Sequence, residues 1–241
     1  MPELSNTDII ILAGGLGKRL STVTNGGQKV LAAIDGKPFL SILIDYIASQ
    51  GGSRFIICTG HGAEQVEQQL QKAHPNVELI FSREQTPLGT GGAIKKAAVL
   101  VTARRFLAMN GDCFCAIDYN ALIDFHLKCK ANATLAVTRV EDAREYGTIE
   151  FDEAKHITAF KEKQPEAVPA FINTGTYCFN REVFALAPTS EKFSIEYDFF
   201  PRLVGKDFYA FEVEGKFIDI GTPERYAWAK EHLKELRGRH T

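Results

Sequence analysis

The chain has 241 residues, 45% of them hydrophobic, which suffices for one sizeable α/β unit or two small lobes. Its 28 Lys and Arg against 30 Asp and Glu leave a formal net charge of −2 with no long basic run, which argues against nucleic acid as a partner. No stretch approaches the roughly 18 apolar residues that span a bilayer, and "MPELSNTD" lacks the basic segment of a secretory signal, so the expectation is a cytoplasmic protein with no membrane partner.

In chain order, "DIIILA" is a continuous apolar run ending in glycines and predicts a buried parallel strand. "PFLSILIDYIASQG" has helical spacing and closes on Gly51–Gly52. "RFIICT" predicts a second strand, "AEQVEQQLQKAH" a helix stopped by Pro75, and "VELIF" a third strand. "TGGAIKKAAVLV" predicts a helix that opens on glycines, and "RFLAMNGD" a fourth strand running into a turn. Strand–helix alternation with short links implies a parallel sheet with helices on both faces. After about Ala131, "ATLAVTRV", "GTIEFD", "HITAFKEK" and "TGTYCFN" follow one another closely and predict antiparallel pairing. "FSIEYDFFPRLV" predicts a helix ending near Gly205, and "FYAFEVEGKFIDIG" a hairpin turning at Glu214–Gly215. The last helix, "TPERYAWAKEHLKELRGR", has Thr222 as N-cap and Pro223 in its first position. No repeat, low-complexity segment or linker divides the chain. The expectation is a single domain over 1–241, with a nucleotide-binding half to about 130 and a smaller half beyond it.

Five cysteines, at 58, 113, 115, 129 and 178, are an odd count in a chain of this size and predict free thiols. Cys113 and Cys115 have no matching His/Cys pair at zinc spacing.

The stretch "ILAGGLGKRLSTVTNGGQKVL" carries the chemistry. A glycine-rich turn after a parallel strand presents backbone N–H groups to phosphate, and any Cβ would block close approach. The glycines alone fit a tight turn without a ligand as well. A dinucleotide fingerprint would need glycine where Arg19 stands, and a Walker A loop would need Ser or Thr after Gly17-Lys18. Arg19 and Lys29 read instead as two cations facing anionic groups, the first a planar fork and the second a mobile point charge.

"LAGGLGKRL" followed by "QKVLAAIDGKPFL" closely resembles the signature of the sugar-1-phosphate nucleotidylyltransferases, roughly G-G-x-G-x-R-L and then P-K-P-L. "PLGTGGA", "NGD", "FKEK" with "INTGTY", and "FIDIGTPE" also match, so the resemblance covers nearly the whole chain. The chain departs from the family at Gln28, where the pattern has proline, and at Val30. The resemblance implies a Rossmann-like nucleotidyltransferase fold, α/β, with a mainly parallel mixed sheet flanked by helices and a small antiparallel sugar-side portion. It implies transfer from an NTP to a sugar 1-phosphate with release of pyrophosphate, and a Mg²⁺ held by Asp112 and Asp219. Arg19, Lys29 and Asp112 then fall to catalysis. Leu12, Ala13, Gly14, Gly15, Gly17, Lys18 and Arg19 fall to the nucleotide, with Glu84, Gln85, Leu88, Gly89, Thr90, Gly91, Asn110 and Gly111. Tyr146, Gly147, Glu162, Lys163, Asn173, Thr174 and Gly175 fall to the sugar phosphate. "EQTPLGTGGA" and "EKFSIEYDF" are similar to stretches of guanylyltransferases acting on D-glycero-α-D-manno-heptose 1-phosphate, so GTP with that sugar phosphate is the expected pair. The alternatives are mannose or glucose 1-phosphate with another NTP, a non-catalytic nucleotide-sugar-binding subunit, and an NAD(P)-binding oxidoreductase, the last in conflict with the missing fingerprint.

Overall fold

The computed structural model describes residues 3–15, 20, 27–161, 167–215 and 217–237. In its first half, β1 (Asp8–Leu12) is followed by the short pair β2 (Ala33–Ile34) and β3 (Lys37–Pro38), then α1 (Phe39–Ser49), β4 (Arg54–Thr59), α2 (Ala63–Ala73), β5 (Glu78–Arg83), α3 (Gly89–Ala97) and β6 (Arg105–Asn110). In the second half come β7 (Cys113–Cys115), α4 (Tyr119–Lys128), β8 (Ala133–Val140), β9 (Thr148–Phe151), β10 (Ile157–Lys161) and β11 (Ala170–Asn180). A π-helical turn, Ile195–Phe199, runs into α5 (Phe200–Leu203), and β12 (Phe208–Glu212), β13 (Phe217–Asp219) and α6 (Pro223–Arg237) close the fold.

The expected α/β architecture is present. A nine-stranded sheet has the order β10-β9-β11-β6-β1-β4-β5, with β8 on β11 and β12 on β8. Strands β6, β1, β4 and β5 are parallel, while β11 pairs antiparallel with β6, β8 and β9. Alternate residues of β1 serve different cores, as the pleat requires. Ile9 and Ile11 pack with Phe55, Ile57, Leu107 and helices α1, α2, α4 and α6. Ile10 packs with Ile56, Phe106, Ala108, α3 and the aromatic cluster around Phe199 and Phe200. Being buried on both faces is why β1 is apolar from Ile9 to Leu12, with the buried Asp8 at its start paired to Arg54 at 2.6 Å. The N-cap reading of Thr222 holds, since its hydroxyl accepts the Arg225 N–H at 3.3 Å.

Three expectations are corrected. "FYAFEVEGKFIDIG" is no hairpin, because β12 lies parallel to β8 and β13 antiparallel to β7. The two halves join different sheets, β12 along the longer β8 and β13 against the equally short β7, and Val213 donates its N–H to Val137 O rather than entering a turn. "FSIEYDFFPRLV" is a π-helical turn followed by a four-residue helix, not one regular helix, and Ser194 caps its start by accepting from Glu196 N and Tyr197 N. The sequence pattern between Ile117 and Cys129 suggested no element, yet it holds α4, capped by Asp118 accepting the Ala121 N–H at 2.9 Å. All five cysteines are free, as expected. Among the described residues, no helix is long and apolar enough to cross a membrane.

His126 on α4 is 1% exposed, with Nδ1 2.9 Å from Thr134 Oγ1 and Nε2 3.3 Å from Asn180 Oδ1. Burial pushes its pKa down to about 4. The unfolded chain therefore takes up this proton first, and stability falls as pH drops from about 6.5 towards 4, by at most about 3 kcal/mol. His126→Gln should flatten the acid limb of a Tm-against-pH curve in that window. An unchanged limb would exclude His126 as its source.

Candidate active site

Strand β1 lies between β4 and β6. The chain leaves β1 for β4 and β5 on one side and then returns to β6 on the other. Helices leave to opposite faces at such a switch point, so a crevice opens beyond the carboxyl end of the strand. A cleft of about 770 Å³ lies there, within the usual range for small-molecule sites. Leu12, Gly14 and Gly15 after β1 line it, with Gly60 and His61 after β4, Glu84 to Pro87 after β5, and Asn110 and Asp112 after β6. Lys29, Val30, Gly89, Thr90, Ala93 and Gly221 complete it. A Cβ on Gly60 would stand 3.1 Å from Gly14 O, so these two loops touch through bare backbone, whereas at Gly15 the space is open. Ala13 is buried, with its N–H donated to Cys58 O. Gly17, Lys18 and Arg19 lie outside the described residues.

The glycines of "PLGTGGA" meet a need that the sequence did not reveal. Gly91 is among the residues assigned to the nucleotide by the resemblance, and Gly92 follows it. A Cβ on Gly91 would instead stand 2.2 Å from the Phe193 ring, and one on Gly92 2.2 Å from Glu191 O. Both N–H groups are donated to Phe193 O, at 3.1 and 3.3 Å. The start of α3 is thus clamped onto the segment before the π-helical turn, and Pro87, Gly89, Thr90 and Ala93 of this run border the cleft while Gly91 and Gly92 do not line it. The Thr90 hydroxyl is donated to Glu196 Oε2 at 2.9 Å. Glu84 accepts the Leu88 N–H at 2.9 Å, which holds the "TPL" bend against the cleft beside Gln85.

Asp112 and Asp219 come from remote parts of the chain and are set side by side. Asp219 pairs with Cys113 in the β7–β13 register, and Ile220 donates its N–H to Asp112 O at 3.0 Å. Lys29 Nζ is bonded to Asp112 Oδ2. The two oxygens of Asp219 are divided. Oδ2 accepts from the Tyr146 hydroxyl at 3.1 Å and from Arg225 at 2.7 Å. Oδ1 accepts the Gly221 N–H at 2.9 Å, and a Cβ on Gly221 would be 2.7 Å from this oxygen and 3.8 Å from Lys29 Nζ. Oδ1, Lys29 and Asp112 therefore share one corner of the cleft. No group of three or more His, Cys, Asp or Glu gathers among the described residues. A pair of hard carboxylates open to phosphate oxygens suits a small divalent cation that keeps most of its shell for water and substrate.

Cys113 lies between these carboxylates, its thiol 3.5 Å from Asp112 Oδ1. Burial first, and then the charges of Asp112 and Asp219, push its pKa well above that of an ordinary thiol. That makes it a poor nucleophile.

On the other wall, Gly175 abuts Asn110, since a Cβ there would be 2.7 Å from Asn110 Nδ2. Asn173 accepts the Gly175 N–H at 2.7 Å and donates to the buried Tyr177 hydroxyl at 3.0 Å. Thr174 is 1% exposed and gives its hydroxyl to Ala136 O, so its side chain serves the sheet rather than a ligand. Tyr146 is likewise turned to a support role by its bond to Asp219, while Gly147 lies along Lys161 O. Glu162 and Lys163 lie outside the described residues.

Arg225 is the residue the sequence reading missed. Its guanidinium lies 4.8 Å over the Tyr146 ring, 2.7 Å from Asp219 and 3.8 Å from Glu145. A legible signal existed. An arginine in the first turn of a helix opposes the helix dipole and calls for a carboxylate nearby.

The nucleotidyl transferase family model matches residues 8–235. D-glycero-α-D-manno-heptose 1-phosphate guanylyltransferase from Aneurinibacillus thermoaerophilus is 38% identical, over 94% of this chain and 98% of that protein. Mannose-1-phosphate guanylyltransferase catalytic subunit beta from Drosophila melanogaster is 34% identical over 93% of this chain, but over only 62% of its own length. The crystal structure of HddC from Yersinia pseudotuberculosis complexed with GMP-PN is 36% identical, with a TM-score of 0.83 over 94% of this chain and 99% of that one. Given a family match over nearly the full length, and a switch-point cleft lined by Gly14, Gly15, Lys29 and Asp112, the chain belongs to the nucleotidyl transferase family.

Proposed function

We propose that the chain joins GTP to D-glycero-α-D-manno-heptose 1-phosphate, giving the GDP-sugar and pyrophosphate. The observation that carries the reaction class is the convergence of Lys29, Asp112 and Asp219 Oδ1 at one corner of the cleft. The choice of heptose is supported by 38% identity to a guanylyltransferase named for that sugar phosphate, against 34% to one named for mannose 1-phosphate.

The obstacle to this reaction is charge. A sugar phosphate with close to two negative charges must approach an anionic triphosphate. Gly14 and Gly15, with Gly17, Lys18 and Arg19, would hold the triphosphate and the departing pyrophosphate. Lys29 would neutralise the α-phosphoryl group, and Lys163 would anchor the incoming phosphate from the opposite wall. Asp112 and Asp219 would hold Mg²⁺, which when bound supplies further neutralisation at the α-phosphate. The attacking oxygen is already ionised and needs no general base, in keeping with an inert Cys113. Glu84, Gln85 and the Leu88–Thr90 backbone would read the base and ribose, and Gly147, Glu162, Asn173 and Gly175 the sugar. Guanine presents donors at N1 and N2, so acceptors such as Glu84 and the loop carbonyls favour it over bases that lack them. The chain would work as one catalytic unit, with a nucleotide half to about 130 and a sugar half beyond.

The test is a panel of GTP, ATP, UTP, CTP and dTTP against heptose, mannose, glucose and N-acetylglucosamine 1-phosphates. The highest kcat/KM is expected for GTP with the heptose. A maximum for GTP with mannose 1-phosphate would keep the guanylyl reading and overturn the sugar. A maximum for dTTP or UTP with a hexose phosphate would overturn both.

A further inference from the structure

The departure at Gln28 has a structural counterpart. Gln28 opens the short 3₁₀ turn Lys29–Leu31, and Leu31 and Ala32 donate their N–H groups to Gln28 O and Lys29 O at 2.9 and 3.0 Å. Its φ of −66° is the value to which proline would lock the backbone. The residue is 5% exposed. It lies directly beneath Gly62, where a Cβ would stand 2.5 Å from Nε2 and 3.0 Å from Cγ. Gly62 has φ +68° and opens α2, immediately after Gly60 and His61 of the cleft wall. Gln28 Oε1 is buried with no hydrogen-bond partner among the described residues. An amide so placed is held by the space it fills, since a buried oxygen without a partner opposes folding.

We infer that Gln28 is a positioning residue for Lys29: its side chain, seated beneath Gly62, docks the lysine's turn onto the loop after β4 and fixes the ammonium against Asp112. Glycine at 62 and a long side chain at 28 are a matched pair. Without that filling, the turn keeps, among the described residues, two backbone hydrogen bonds of its own, and the ammonium at the end of a flexible stem loses its fixed origin. This inference rests on the role proposed for Lys29.

The experiment is a double-mutant cycle on the whole chain, with kcat, both KM values and Tm measured. Gln28→Ala should lower kcat by about ten- to a hundredfold, as misplacement of a charged group does, with the KM for GTP little changed. Gln28→Met fills the same space without the unpaired oxygen and should restore kcat to within about twofold. Gln28→Ala in the Lys29→Ala background should cost nothing further, because it acts only through that lysine. Three results would overturn the inference: full turnover in Gln28→Ala, no rescue by Gln28→Met, or additive losses in the double variant. Near-normal turnover of Lys29→Ala alone would instead bring down the reading of Lys29, and this inference with it.

Discussion

Asp112→Asn is expected to lower kcat by about a thousandfold, or about 4 kcal/mol at the transition state, with the fold intact. The side chain keeps its shape and loses only the charge that pairs with Lys29 and would hold the metal. Asp219→Asn should do the same by a different route. Its Oδ2 is bonded by Tyr146 and Arg225, so the amide carbonyl can satisfy those donors, while the amide nitrogen in the other position neither attracts a cation nor accepts the Gly221 N–H. Turnover should fall in both variants, and binding of Mn²⁺ as a paramagnetic probe should weaken. Near-normal Mg²⁺-dependent turnover in either variant would remove that residue from the metal site.

Arg19→Ala should lower kcat by about a hundred- to a thousandfold, the usual loss on removing one donor from developing charge. It should shift the KM for the sugar phosphate little, because the proposed partner is the triphosphate. Lys163→Ala should act the other way and chiefly raise the KM for the sugar phosphate. Steady-state kinetics with each substrate varied separates the two. Indistinguishable profiles would mean that the two cations do not serve opposite walls.

The parallel half was legible because its inner strands are buried on both faces, which leaves runs such as "IIIL" and "FIICT" with no competing reading. The second half was less so. "FYAFEV" and "GKFIDIG" alternate as a hairpin would, and only the distant partners β8 and β7 decide that they separate. Loop residues after strands, such as Gly14, Gly15, Glu84 and Asp112, could be expected at the cleft from their motifs, because the strand ends themselves deliver them there. Side-chain direction could not. Thr174 sits in a motif yet points into the sheet, and Gly91 is glycine because of Phe193. Arg225 was half legible: a first-turn arginine calls for a nearby carboxylate, but that the carboxylate is Asp219 depends on the meeting of α6, β13 and the Tyr146 loop.

The most direct measurement is pyrophosphate release from GTP mixed with D-glycero-α-D-manno-heptose 1-phosphate and Mg²⁺, with the nucleotide product identified by mass. The expected result is one equivalent of GDP-heptose for each pyrophosphate, abolished by chelation and by Asp112→Asn. Binding of GTP and sugar phosphate without pyrophosphate from any NTP–sugar pair would contradict it, and would leave a nucleotide-sugar-binding protein rather than an enzyme.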